Sequence, residues 1–237
     1  MTINEYQKLA MTTLNPALSK KDVLINGVMG LCGESGEAID IVKKHLAQGH
    51  PLDREKLIKE LGDIAWYLAV ICVLFLLVFR VVIVTGTSMN HTLLDGDYLL
   101  LLSNTFYTEP EQGDVVVISK ESFQNGTAIV KRVIATEGQT VDIDFEQGIV
   151  YVDGTALQED YINNLTTTRG GMEFPLVVDE GCVFALGDNR GISKDSRYPD
   201  IGLIDEREIL GKAVFLVIPG TNYNQEKFDF GRIGVMK

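Results

Sequence analysis

The chain has 237 residues, 46% of them hydrophobic, and its 21 Lys and Arg against 33 Asp and Glu give a formal net charge of -12. That balance excludes nucleic acid as a principal partner, because phosphate binding needs clustered basic side chains. The charge is unevenly placed: residues 1–63 carry 8 basic and 9 acidic side chains and the remainder 13 and 24, which suggests two units of different character.

Residues 3–70 read as helices. The first covers 3–14 and stops at Asn15-Pro16. The second starts near Lys21-Asp22 and runs to about Ala47, where Gly49-His50-Pro51 breaks it, and Asp53 caps a third that begins at Arg54. Two acidic pairs lie on these helices, Glu34-x-x-Glu37 and Glu60-x-x-Asp63. Members of each pair share a helix face, and the break between them lets the helices run antiparallel. Four converging carboxylates would suit Mg²⁺, which favours hard oxygen ligands; solvated helix faces would look the same.

Residues 64–79 form an unbroken apolar run, IAWYLAVICVLFLLVF. Counted through Val84 past Arg80, the segment is roughly 32 Å long as a helix, enough for a bilayer core of about 30 Å. A buried core helix is the competing reading, and Val81-Val82-Ile83-Val84 could equally begin the first strand of the next domain. Lys43, Lys44, Arg54, Lys56 and Lys59 precede the run, whereas Asp95 and Asp97 follow it. The positive-inside rule therefore predicts a single-pass protein of the cell membrane, with a cytoplasmic N-terminus and an extracytoplasmic C-terminal domain.

Beyond the apolar segment the pattern changes to short β-like runs at 98–102, 114–119, 128–135, 140–144, 148–152, 181–186 and 211–218. Turn signals such as Asp95-Gly96, Asn125-Gly126 and Asp153-Gly154 separate them. The fold class predicted is multi-domain: a partial all-α bundle over 1–63, one transmembrane helix over 64–84, a mainly-β domain over 85–220 and a tail over 221–237.

Three clusters in the β region carry chemistry. Ser88 follows a glycine-containing turn, Thr85-Gly86-Thr87. Lys131 interrupts an apolar strand, and burial would depress its pKa towards the range of a working base. Strand alternation would place either Lys131 or its neighbour Arg132 on the wet face. Residues 187–197, GDNRGISKDSR, are dense in charge and turn formers. Cys32, Cys72 and Cys182 show no metal-ligand spacing, and His91 is the one histidine near Ser88. A base three residues from its nucleophile rarely has the required geometry, which disfavours His91.

With the Gly113-Asp114-Val115-Val116-Val117 strand, these clusters over about residues 64–220 resemble the bacterial signal peptidase I family. The resemblance implies a serine-type endopeptidase working by a Ser-Lys dyad without a cofactor. Its partners would be the lipid bilayer and the signal peptides of exported preproteins, cut after small residues. Ser88 would be the nucleophile and Lys131 its general base. Ser193 would hydrogen-bond the lysine amine, Asp195 and Arg197 would form a supporting ion pair, and Asp188 would support the same loop. Val84, Met89, Leu93 and Val130 would line the substrate pockets. Gly86 offers no hydroxyl to the oxyanion, and His91 stands where the family usually has proline.

The stretch from Gly30 to Ala69, with GLCGESGEAIDIVKK and ELGDIAWYLA, resembles MazG-like nucleotide pyrophosphohydrolases in truncated form. That resemblance implies Mg²⁺ held by Glu34, Glu37, Glu60 and Asp63, and hydrolysis of nucleoside triphosphates. The family's fourth helix, with its phosphate-binding residues, has no counterpart here, so weak or no such hydrolysis is expected. The alternative function for the chain is this Mg-dependent pyrophosphohydrolase; a third is a non-enzymatic membrane adaptor.

Overall fold

The computed structural model describes residues 2–121, 123, 126–221 and 228–236. The chain divides into two compact units, Met1–Val78 and Phe79–Lys237.

The first unit is helical. Helix α1 spans Ile3–Thr12, with Thr2 and Glu5 forming a reciprocal capping box. Helix α2, Lys20–Gln48, is capped by Ser19 and ends on Gly49 in the left-handed region (φ 70°). Helix α3, Arg54–Val78, starts where the Asp53 carboxylate accepts the Lys56 amide at 3.0 Å. Its core joins Ala10, Val23, Ala69, Val70 and Leu74. Gly30 is required where α2 meets α3, because a Cβ there would lie 2.1 Å from the Tyr67 ring.

The apolar segment is shorter as a helix than its sequence suggests. Helix α3 ends at Val78, and strand β1 (Phe79–Ile83) follows at once. The transmembrane helix expected over 64–84 is corrected to that extent: its last residues pair antiparallel with β2 (Tyr98–Ser103), from Phe79↔Leu102 to Ile83↔Tyr98. The β-branched Val81, Val82 and Ile83 suit a pleated strand better than a helix. Among the described residues α3 is the one helix long and apolar enough to cross a membrane, with a mean hydropathy of 2.4 over its most apolar window.

The second unit is antiparallel β. Its remaining strands are β3 (Val115–Ile118), β4 (Ile129–Thr136), β5 (Thr140–Asp144), β6 (Ile149–Val152), β7 (Thr155–Ala156), β8 (Leu176–Val177), β9 (Cys182–Leu186), β10 (Ile204–Asp205), β11 (Ile209–Ile218) and β12 (Gly234–Val235). One sheet runs β1-β2-β11-β3-β4-β9-β10, with β12 added to β11, and the other runs β7-β6-β5-β8. All seven expected strands are present with ends shifted by a residue or two. Strands β7, β8, β10 and β12 were not expected, since two residues leave no period to read. The Asn125 half of the expected Asn125-Gly126 turn lies outside the described residues. The segment expected as a tail carries a 3-10 turn at Phe230–Arg232 and then β12.

Candidate active site

A loop between β1 and β2 presents Ser88. Its ends are tied where the Val84 amide donates to Asp97 O (2.8 Å) and the Gly96 amide to Val84 O (2.9 Å). Gly86 takes a φ of 91°, which favours glycine, and its amide donates to Asp95 Oδ1 at 2.7 Å. Met89 and Leu93, 1% and 0% exposed, anchor the loop in a core with Val84, Leu99, Val117 and Leu216. The Ser88 side chain is left half-buried at the edge of that core.

Strand β4 brings Lys131 to the same place. The strand is flanked by β3 and β9, and Lys131 and Arg132 are each 2% exposed. Neither faces water, because both faces of β4 are covered; alternation separates the two environments instead of exposing one. Lys131 Nζ lies 3.1 Å from Ser88 Oγ and 2.8 Å from Val130 O. Burial pulls its pKa down to about 8, against the opposing pull of Asp195 and Asp188, with Arg197 adding to the depression.

The loop after β9 forms the floor. The Asn189 amide donates to Ser88 O (3.0 Å), and its side-chain amide donates to Thr87 O (3.0 Å). Gly187 is required here: a Cβ would lie 2.6 Å from Ser88 O and 2.1 Å from Ser193 Oγ. Asp195 and Arg197 form the expected ion pair, both fully buried, through bonds of 2.8 and 2.9 Å. Asp188 accepts from Arg132 Nε and Nη2 at 3.0 and 2.8 Å and from the Thr92 hydroxyl at 2.5 Å. A Tyr161 ring covers the Arg132 guanidinium at 4.1 Å.

Two expectations are corrected. Ser193 Oγ is buried without a hydrogen-bond partner, since the Lys131 amine is directed at Ser88 Oγ and Val130 O. Leu93 belongs to the core and does not line the cleft beside Ser88. That cleft, of about 240 Å³, is lined by Val84, Met89 and Val130, and also by Val82, Val117 and Ala128. His91 is exposed. The partners that sequence reasoning missed are Arg132, Thr92 and Asn189. Of these, only Arg132 carries a signal in the sequence, as a second charge beside Lys131 in an apolar strand.

In the helical unit, carboxylate oxygens of Glu34, Glu60 and Asp63 lie within 4.8 Å of one another. A hydrogen bond with Glu60, then burial and the neighbouring carboxylates, raise the Glu34 pKa. Glu37, the fourth expected ligand, is outside this group; it is well exposed and lies 3.8 Å from Lys56.

Residues 57–218 match the family model described as signal peptidase, peptidase S26. The chain is 36% identical over 154 residues to a probable signal peptidase I-1 of Synechocystis, covering 60% of this chain and 72% of that one. It is 34% identical over 149 residues to a signal peptidase I of Bacillus licheniformis, covering 60% and 77%. Among solved structures, a signal peptidase I from Enterococcus faecalis V583 matches at 30% identity, with 44% of this chain and 97% of that one covered and a TM-score of 0.36.

Proposed function

The chain belongs to the signal peptidase family, peptidase S26, and from that premise we infer that it is a serine endopeptidase that removes signal peptides from exported preproteins. Its reaction runs through Ser88 and Lys131. The observation that carries this assignment is the 3.1 Å contact between a half-buried hydroxyl and an amine whose pKa burial lowers to about 8, so that a large share is neutral at and above that pH.

The neutral Lys131 amine takes the Ser88 proton as Oγ attacks the scissile carbonyl. The resulting ammonium returns that proton to the leaving amine, which departs as the new N-terminus of the mature protein. Water then attacks the acyl-Ser88 ester with Lys131 again as base, releasing the signal peptide's carboxylate and restoring Ser88. The Ser88 amide is the donor assigned to the oxyanion; one such donor supplies roughly 3–4 kcal/mol in the transition state. Asp195 with Arg197 and Asp188 with Arg132 hold the floor. The small cleft of Val84, Met89, Ala128 and Val130 suits small side chains before the cut.

Helix α3 anchors this unit in the cell membrane, with the N-terminus cytoplasmic and the catalytic unit outside, on the charge asymmetry of its flanks. Detergent-solubilised protein incubated with a preprotein tests the reaction. Wild type should cut, while Ser88→Ala and Lys131→Ala should not; equal cutting by all three would refute the dyad.

The helical unit supports a second reading, as a MazG-like segment that binds a divalent cation. Glu34, Glu60 and Asp63 would be the residues to hold Mg²⁺, since carboxylate oxygens are the hard ligands that it takes. With Glu37 outside the group and 3.8 Å from Lys56, the set would offer three of the four expected carboxylates.

A further inference from the structure

Asp97 closes the nucleophile loop and is fully buried. A buried carboxylate needs a counter-charge as well as donors. The Leu94 and Gly220 amides donate to it at 2.7 and 2.6 Å, but they are neutral. The counter-charge comes from Arg232, whose guanidinium takes both Asp97 oxygens at 2.9 and 2.7 Å. The same guanidinium donates to Thr92 O at 3.2 Å. Thr92 in turn donates to Asp188, which holds Arg132, the neighbour of Lys131. A continuous line of hydrogen bonds thus runs from the C-terminal segment through the Ser88 loop to the strand that carries the base.

Arg232 is itself held in place. Asp229 caps its 3-10 turn, with the Gly231 amide donating at 3.0 Å. Strand β12 pairs with β11 at Phe215↔Val235 and Leu216↔Gly234. Met236 packs on the cluster that contains Met89 and Leu93, so the segment touches the loop by packing as well as by charge.

We propose that Arg232 is a positioning residue for the peptidase reaction: it latches the C-terminal segment to Asp97 and Thr92 and so holds Ser88 within reach of Lys131. This rests on the peptidase function proposed above. A guanidinium suits the task because it grips both carboxylate oxygens and the Thr92 carbonyl at once, which a point-charged ammonium cannot do.

The test measures preprotein cleavage by the full chain in detergent for wild type, Arg232→Ala, Arg232→Lys and Ser88→Ala. In Arg232→Ala, kcat should fall roughly 10- to 100-fold with KM within about 2-fold, as for a small displacement of a reacting atom. The pH midpoint of kcat/KM should move upward, because a loosened loop admits water to Lys131. The charged groups that face Lys131, namely Asp188, Asp195 and Arg197, are unchanged in that variant. Arg232 is 19% exposed, so millimolar guanidinium should reach the gap and restore activity to Arg232→Ala but not to Ser88→Ala. Loss of thermal stability with unchanged kcat, or loss of kcat with a fixed pH midpoint and no rescue, overturns the proposal. If Arg232→Ala fails to fold, Arg232→Lys decides: an intermediate kcat supports the latch and a wild-type kcat overturns it. A wild type that cannot cut the preprotein overturns the peptidase reading itself.

Discussion

Lys131 Nζ lies 3.1 Å from Ser88 Oγ across 43 residues of chain, and the amine is buried with its pKa depressed to about 8. Only the neutral amine accepts the serine proton. Cleavage should therefore rise with pH, about tenfold per unit below the midpoint, and level off above about 8. The pH profile of kcat/KM measures this. A profile flat from pH 6 to 9 would remove Lys131 as the base. Lys131→Arg, charged at every accessible pH, should be inactive throughout.

The same depression has a cost in stability. The folded pKa is about 8, against roughly 10.4 for an unfolded lysine. Below pH 8 both states bind the proton, and the folded state carries a poorly solvated charge. Between the two values the unfolded state binds more protons, so stability rises with pH across that window. Lys131→Met removes the penalty. Its melting temperature should exceed that of wild type at pH 7, with the gap narrowing towards pH 10, while activity is lost.

Much of this site was legible because it is made of short segments with strong local character. Ser88 after a glycine turn and Lys131 inside an apolar strand are visible as anomalies in their surroundings. Their partners were not, since each contact spans long stretches of chain: Arg132 to Asp188 joins a strand to a loop 56 residues later, and Asp97 to Arg232 spans 135. Composition at the end of the chain shows no pattern that marks Arg232 as paired. The change from helix to strand at Val78 was open to two readings, because Val81, Val82 and Ile83 are apolar enough to continue a membrane helix and β-branched enough to begin a sheet.

Asp188 and Arg132 are 0% and 3% exposed at their side chains, so neither charge can be left alone. Asp188→Ala removes the carboxylate that balances the guanidinium and accepts the Thr92 hydroxyl. A loss of about 3–5 kcal/mol is expected in urea titration, with cleavage lost alongside. A loss under about 1 kcal/mol would mean that water or another carboxylate replaces the partner.

Ser193 Oγ is buried and makes no hydrogen bond, so removing it deletes an unsatisfied polar atom. Ser193→Ala should leave stability unchanged within about 1 kcal/mol. Its effect on kcat separates two roles. A drop under tenfold fits the present geometry, whereas a drop of a hundredfold or more would show that the hydroxyl turns to the Lys131 amine during the reaction.

Gly187 makes a sharper case, because the obstruction is backbone. A methyl group there would lie 2.6 Å from Ser88 O as well as 2.1 Å from Ser193 Oγ. Ser193 can move aside, but Ser88 O is fixed by the Asn189 amide at 3.0 Å. Relief must come by pushing the Ser88 peptide away from Lys131. Gly187→Ala should lose roughly 100-fold in kcat for a stability cost of about 1–3 kcal/mol. The paired variant Gly187→Ala with Ser193→Gly clears only one of the two clashes and should stay impaired. Full recovery in that double variant would place the obstruction at Ser193 alone and show that the Ser88 peptide has room to spare.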